Sequence, residues 1–359
     1  MKLSLSDVDD LAAGSAFLGT GGGGDPYIGA LLCKAALAEH GDVEIKAVEQ
    51  LADDAQIMCV AAMGAPTVLI EKLMSVEDAE FAAQALETYL GKRADALICA
   101  EIGGLNSTMP VALAAHRKLP VVDADGIGRA FPSLEMTSFN INGVAATPLV
   151  VVDELGQSFL LHANTVKAAE DLARPVVAAM GAAVTLAGYW MTGRQVKDAA
   201  VGGTVSAALR IGRALRRRDE RSAVQHLLEA LRGIDHYRHA YAVFSGKIVD
   251  VARNTTGGWV FGHCDIVSES GETARIEFQN EHLVARAGDR LLAIVPDLIS
   301  VIDAETARPI PTESIRYGQR VTIVACSAPA QMRTAEALKV VGPAAFKLQG
   351  AFQPVEALH

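Results

Sequence analysis

Residues 99–136 read CAEIGGLNSTMPVALAAHRKLPVVDADGIGRAFPSLEM, and this stretch decides the fold. The apolar run 96–100 predicts a short buried strand that stops at Glu101. A glycine pair then turns the chain into a predicted helix over 109–116, and the apolar run 119–122 predicts a second strand. The order strand, glycine turn, helix, strand is that of a βαβ unit, which predicts parallel strands.

Carboxylates follow both predicted strands. Glu101 ends the first, and Asp123 and Asp125 end the second. Because the carboxyl ends of parallel strands face the ligand crevice, we predict these three side chains as catalytic residues. Asp123 and Asp125 repel each other, so either a divalent metal lies between them or one is protonated. Arg129 could also offset this repulsion by forming an ion pair with these aspartates. Alternatively, Arg129 could bind a substrate carboxylate or carbonyl through two hydrogen bonds.

A glycine-rich loop follows the predicted N-terminal helix. Residues 19–26 read GTGGGGDP, with five glycines in six positions before a second predicted helix. Such a loop allows a ligand or another backbone to approach closely, and a helix N-terminus favours an anion. It lacks the Lys-Ser/Thr ending of a P-loop. Ligand contact is one interpretation, and a flexible lid or tight turn is the other. The candidate binding residues here are Gly21, Gly22, Gly23, Gly24 and Asp25.

The composition excludes several classes of function. The 359 residues are 50% hydrophobic and carry a formal net charge of −10, which argues against a nucleic-acid partner. No apolar run reaches the ~18 residues that a membrane span needs, and the acidic start is unlike a signal peptide. The five cysteines form no CxxC pair, which favours free buried thiols and a cytoplasmic location. Cys99 lies beside Glu101, whose charge would raise the pKa of the thiol, so we expect Cys99 to be inert.

The pattern along the chain predicts two lobes. Residues 1–165 alternate strand and helix, which predicts an α/β domain with a mainly parallel layered sheet; it includes a buried strand at 56–62 closed by a turn at 63–66. Residues 166–240 are predicted as a helical connecting segment. Residues 241–359 contain seven short alternating segments punctuated by glycines, which predicts a β-rich C-terminal domain.

Several motifs in this order resemble the S-methyl-thiohydantoin desulfurase-like family. They are GTGGGGDP, EIGGLNS, PVVDADGIGRAFP, FQNE and VPDLI, and the resemblance extends from about residue 7 to about residue 346. It implies an N-terminal α/β domain, a C-terminal domain of distinct fold and a role in hydantoin and thiohydantoin catabolism. Relatives often act alongside hydantoinase/oxoprolinase-type proteins, so such a protein is one candidate partner and a second copy of this chain is another.

The matching positions extend the set of candidate residues. To the residues above, the resemblance adds Asn106, Asn280, Glu281 and Asp297 as substrate-binding candidates. One departure is Ser133, which stands where an acidic residue is expected in the family.

Two functions follow from these observations. The first is hydrolytic cleavage of a C–S bond in a thiohydantoin-like ring, with water activated by a carboxylate or a metal-bound hydroxide. The second is a non-catalytic accessory or small-molecule-binding subunit of a hydantoinase/oxoprolinase-type complex. In either case, the expected ligand is a small molecule, and a divalent metal is a candidate cofactor.

Overall fold

The fold is that of a computed structural model, which describes residues 1–64, 68, 72, 74–217, 219–257 and 259–359. The predicted turn at 63–66 therefore lies partly outside the described residues. The helices, in chain order, are α1 Val8–Leu18, α2 Pro26–His40, α3 Val76–Leu90, α4 Thr108–Arg117, α5 Ser138–Ile141, α6 Val166–Ala179, α7 Gly193–Ala199, α8 Thr204–Arg216, α9 Ala223–Arg232, α10 Ala335–Val341 and α11 Val355–Leu358.

Strands β1 to β10 belong to the N-terminal α/β domain. Their bounds are β1 Lys2–Leu3, β2 Val43–Lys46, β3 Gln56–Gly64, β4 Ala96–Cys99, β5 Val121–Val122, β6 Ala124–Asp125, β7 Leu149–Val152, β8 Ser158–Leu161, β9 Ala183–Thr192 and β10 Val201–Gly202.

Eight of these strands form one mixed sheet in the order β1-β2-β5-β4-β3-β9-β7-β8. Neighbours β2, β5, β4 and β3 run parallel, as the βαβ pattern predicts. Strand β9 lies antiparallel between β3 and β7. The segment 166–240 thus contains the predicted helices and also a central strand of the first sheet. Strand β6 leaves this sheet and pairs with β10.

The C-terminal domain is an antiparallel sheet. Each of the seven predicted segments forms a strand, and the predicted fold class is confirmed. The order across the sheet is β15-β14-β13-β12-β11-β17-β16. The strands are β11 Ala240–Thr256, β12 Trp259–Val267, β13 Thr273–Gln279, β14 Glu281–Ala287, β15 Arg290–Ile294, β16 Leu298–Asp303 and β17 Arg320–Cys326.

Small residues bring the first elements close together. A Cβ added at Gly14 of α1 would lie 1.8 Å from the Ala208 carbonyl oxygen of α8, and one added at Gly212 would lie 1.9 Å from the Asp10 carbonyl oxygen. Glycine therefore permits backbone contact between these two helices. Helix α2 begins where Asp25 Oδ1 accepts hydrogen bonds from Tyr27 N at 2.8 Å and from the next amide, so it acts as an N-cap.

The cysteines are buried and unpaired with one another. All five are free thiols, Cys99 among them, and burial raises the pKa of Cys99 well above its usual range. Within the described part of the chain, every helix is too short or too polar to cross a lipid bilayer.

Candidate functional site

A cavity of about 90 Å³ lies where the carboxyl ends of β3 and β4 face the C-terminal domain. A single water needs only ~10–15 Å³, so the space can hold more than one solvent molecule or a small ligand group. The first domain contributes the ends of both strands and the segment after Ile127. The second contributes Asn280, which separates β13 from β14, and Glu281, the first residue of β14. The polar or flexible residues of the wall include Gly23, Gly24, Glu101, Asn106, Ser133, Thr137, Asn280 and Glu281.

Glu101 is the carboxylate that follows β4, and two donors hold it. Asn106 Nδ2 donates to Glu101 Oε1 at 2.7 Å, and Phe131 N donates to Glu101 Oε2 at 3.0 Å. Burial, with a smaller contribution from the charge of Asp125, outweighs these bonds and raises the pKa of Glu101 to about 7. A carboxyl group that titrates near neutrality in a cavity is suited to accept a proton.

Glu281 reaches the cavity from the C-terminal domain. Its side chain is buried, with 3% of the residue exposed, and its Oε2 has no hydrogen-bond partner among the described residues. Burial and the charge of Glu101 raise the pKa of Glu281 well above its usual range, against the effect of Arg129. Glu281 is therefore protonated over a wider pH range than an exposed glutamate.

The glycine loop joins the two domains and forms part of the wall. Gly23 O accepts hydrogen bonds from Leu105 N at 3.0 Å and from Asn106 N at 3.2 Å, while Gly21 O accepts from Thr312 N at 2.9 Å. Of the four predicted glycines, Gly23 and Gly24 line the cavity. Gly21, Gly23 and Gly24 have φ values of 97°, 75° and 83°, which only glycine adopts without strain.

The sequence predicts that a ligand or another backbone could approach this loop closely. At Gly22, the group that approaches is the side chain of Glu281. A Cβ at that position would lie 1.9 Å from Glu281 Oε1. Gly22 thus leaves room for the carboxyl group of the other domain.

Arg129 is fully buried and is saturated by protein acceptors. It donates through Nη1 to the carbonyl oxygens of Pro296 and Asp297, at 3.1 and 2.8 Å, and through Nε to its neighbour. Its Nη2 donates to Thr20 Oγ1 at 2.7 Å and to His282 O at 3.0 Å. Each of the five N–H groups of Arg129 thus has a protein acceptor. This arrangement is neither the ion pair with Asp123 or Asp125 nor the bidentate contact with a substrate that the sequence suggested. Burial lowers the pKa of Arg129 to about 10.

Asp123 and Asp125 have separate partners, and neither lines the cavity. Asp123 accepts from Ser206 N at 2.9 Å and from the Ser206 hydroxyl, at the start of α8. Asp125 Oδ2 accepts from Ile127 N at 2.9 Å and from Gly128 N at 2.8 Å. The strand does not continue through this pair, because β5 and β6 belong to different sheets.

The remaining predicted residues hold the structure around the cavity. Asn280, with φ 57°, accepts at Oδ1 from Val260 N at 2.8 Å, and Asp25 caps α2. Asp297 forms a bidentate pair with Arg333, with both N···O distances 2.7 Å. Asp297 also accepts from two backbone N–H groups, so its oxygens face protein donors and not the cavity.

Two family profiles match the chain. The profile described as "S-Me-THD-like, N-terminal domain" matches residues 6–163, and that described as "S-Me-THD-like, C-terminal domain" matches residues 163–355. The chain belongs to the S-Me-THD-like family. The resemblance inferred from the motifs is thereby confirmed, and membership indicates a thiohydantoin-related role.

A solved structure supports the same fold over the full length. An X-ray crystal structure of a protein from Chromobacterium violaceum is 27% identical, with a TM-score of 0.82. The match covers 99% of this chain and 100% of that chain. Among curated proteins, no sequence matches this chain.

One wall of the cavity in this S-Me-THD-like protein was not predicted from the sequence. Thr137 Oγ1 lies 3.0 Å from Tyr189 Oη, which donates to Leu134 O at 2.7 Å. Tyr189 belongs to β9 and has a φ of 40°, which is uncommon for a bulky residue. The local sequence shows no signal for this pair, because 52 positions separate its members.

A second unpredicted group closes the cavity across the domains. Arg174 Nε donates to Glu170 Oε1 at 2.7 Å, and Nη2 donates to Pro132 O at 3.1 Å. The same guanidinium lies 4.8 Å from the ring centroid of Trp259, in the other domain. Glu170 and Arg174 have the i,i+4 spacing of an ordinary surface ion pair, so the sequence alone does not distinguish them. Next to them, Ser133 stands half-buried at the wall where relatives are expected to have an acid.

The sequence suggested that a divalent metal could lie between Asp123 and Asp125, and the contacts of these two carboxylates can be compared with that expectation. Both carboxylates already accept hydrogen bonds from protein donors and do not converge on a common point in the cavity, so these residues do not fit a shared ion. Among the described residues, one group has spacing suited to a metal ion: Asp250, His263 and Asp265 on the C-terminal sheet. There, Arg275 holds Asp265 with N···O distances of 2.7 and 2.6 Å.

Proposed function

We propose that this protein hydrolyses the C–S bond of a thiohydantoin-like ring in hydantoin catabolism. Family membership supports the class of ring. The observation that carries the proposal of hydrolysis is the carboxyl of Glu101, which faces the cavity between two N–H donors with a pKa of about 7. A base is most effective when its pKa lies near the working pH.

In the proposed reaction, Glu101 takes a proton from water as the water oxygen attacks the ring carbon that bears sulfur. The addition gives a tetrahedral carbon, which collapses as the C–S bond breaks. Sulfide or a thiol departs with one proton, and the carbon becomes a carbonyl. A hydantoin-like ring results, which a ring-opening enzyme of the predicted hydantoinase/oxoprolinase type would consume.

The glycine loop supports binding of the ring. Gly23 is buried at the cavity wall, and its N–H donates no hydrogen bond to any residue that the structure describes. A backbone N–H in such a position can donate to a ring oxygen or to negative charge that develops during the addition. The roles predicted for Gly23 and Gly24 as binding residues therefore form part of this proposal.

A turnover assay tests the proposal. The purified protein is incubated with thiohydantoins and S-substituted thiohydantoins, with and without a chelator or added divalent metals, and the released sulfide or thiol is measured. We expect release by the parent protein and a loss of at least ~100-fold in Glu101→Gln. Glu305→Gln, at an exposed turn, is the control and should retain activity.

Failure has a distinct signature. If no member of the panel loses sulfur while calorimetry detects binding of the ring, the desulfurase proposal is wrong. That result would instead support the accessory, small-molecule-binding role.

A further inference from the structure

Two glutamates reach one cavity from different domains in contrasting environments. Glu101 accepts hydrogen bonds from Asn106 Nδ2 and Phe131 N, one at each oxygen. Glu281 Oε2 accepts none from the described residues, although the side chain is buried. The hydrogen bonds at Glu101 stabilise its charged form, and Glu281 Oε2 lacks such bonds, so Glu281 favours the neutral form more than Glu101 does.

The nearest cation does not change this contrast. Arg129 lowers the energy of a negative charge on Glu281 through space, but its five N–H groups are bound to other acceptors. Glu281 therefore lacks the direct ion pair that normally keeps a buried carboxylate ionised. In its neutral form it carries an O–H. Glu281 is one of the residues that line the cavity, and its Oε2 has no hydrogen-bond partner among the described residues.

We propose that Glu281 is a second catalytic residue, the general acid that gives its proton to the departing sulfur. This inference rests on the proposed hydrolysis of a thiohydantoin-like ring. It assigns distinct tasks to the two glutamates: Glu101 accepts protons from oxygen, and Glu281 donates to sulfur. Gly22 has a part in this arrangement because any larger side chain would occupy the space of the Glu281 carboxyl group.

The protons balance for an S-alkyl thiohydantoin. Water adds to the ring carbon, Glu101 takes one of its protons, and the C=N electron pair moves to the ring nitrogen, which receives that proton from Glu101. The C–S bond then breaks with its electron pair on sulfur, and Glu281 protonates the sulfur to release a thiol. Glu101 takes the hydroxyl proton as the carbonyl forms. Exchange with water in the cavity moves this proton from Glu101 to Glu281.

An acid that serves the leaving group can be tested by changing that group. Glu281→Gln keeps the size of the side chain but cannot transfer a proton. We expect it to slow release of an alkyl thiol by at least ~100-fold, whereas release of an S-aryl thiol, which leaves readily as a thiolate, slows less than ~10-fold. Glu101→Gln should slow both substrates alike, because both need an activated water. Glu277→Gln, exposed on the preceding strand, is the matched control.

The pattern of results separates the two proposals. If the parent protein releases thiol from neither substrate, the proposed function fails and the role of Glu281 fails with it. If the parent is active and Glu281→Gln slows both substrates equally or neither, only the role of Glu281 is overturned.

A measurement on the parent protein covers the case in which Glu281→Gln does not fold. Loss of the acid at high pH should lower kcat for the S-alkyl substrate at a pH where kcat for the S-aryl substrate is still constant. Identical alkaline limbs for the two substrates would overturn the inference.

Discussion

Asn106 Nδ2 donates a hydrogen bond to Glu101 Oε1 over 2.7 Å. The same amide accepts from Ala62 N at 2.8 Å through Oδ1, so one side chain connects the end of β3 with the carboxylate that follows β4. Both bonds use the amide in a single orientation, because the carboxylate and the N–H fix its oxygen and nitrogen. Asn106 therefore positions Glu101 and stabilises its charged form.

Asn106→Ala tests this positioning through the pH dependence of turnover. Removal of a donor to the carboxylate raises the pKa of Glu101, so less of the base is ionised at pH 7. We expect the acid limb of the kcat/KM profile to move to higher pH, with a smaller loss than the ~100-fold expected for removing the base itself. Activity should recover partly above pH 8. An unchanged limb would show that Asn106 does not act on Glu101.

Gly22→Ala tests the contact between the glycine loop and Glu281. The added Cβ would lie 1.9 Å from Glu281 Oε1, so either the carboxyl group or the loop has to move. We expect a fall in turnover together with a lower melting temperature. Gly202→Ala is the control, because its Cβ would lie 3.7 Å from Val48 in ordinary contact. Equal behaviour of the two variants would contradict the close packing at Gly22.

Arg129→Lys tests whether the buried guanidinium holds the two domains together. A lysine has three N–H donors in place of five and cannot reproduce the fork, so at least two buried acceptors lose their partner. Each costs ~1–3 kcal/mol, and we expect the free energy of unfolding in urea to fall by at least ~2 kcal/mol. Arg194→Lys, in an exposed pair with Asp198, should change it by less than ~1 kcal/mol. A near-neutral Arg129→Lys would contradict the structural role.

Strand β13 of the C-terminal domain could be predicted because buried and exposed residues alternate along it. Strands β14, β16 and β17 are buried almost throughout, but their six or seven residues are a typical strand length. In contrast, β9 has a nearly continuous buried run, Ala183–Thr192, and periodicity cannot distinguish such a run from a buried helix. The sequence therefore did not predict β9, a central strand of the first sheet, which lies in the segment 166–240 that is predicted as helical.

The surroundings of the cavity could be predicted only in part. Glu101 was found from its position after a strand, and Glu281 from its motif. The partners of Arg129 could not be found, because the carbonyl groups that it binds belong to residues up to 168 positions away. The i,i+2 spacing of Asp123 and Asp125 suggested a pair, but the chain changes sheets between them.

Asp123→Ala compares the catalytic role drawn from the sequence with the contact that the structure shows. Asp123 accepts from Ser206 N in the first turn of α8, in the manner of a helix cap. We expect a loss of about 1 kcal/mol in the free energy of unfolding, and turnover within a few-fold of the parent. A loss of turnover of ~100-fold in a folded variant would support the catalytic assignment instead.

Glu313→Gln tests the pH dependence of stability. Glu313 is 6% exposed, and burial raises its pKa to about 7, whereas a glutamate in an unfolded chain titrates near ~4.3. Between these values, the folded protein binds more protons than the unfolded chain, so this residue makes the free energy of unfolding fall as the pH rises. Glutamine does not titrate, so the variant should gain stability relative to the parent between pH 5 and pH 8. Urea unfolding across this range measures the difference, with Glu305→Gln as the exposed control. Parallel curves for parent and Glu313→Gln would show that Glu313 does not contribute to this slope.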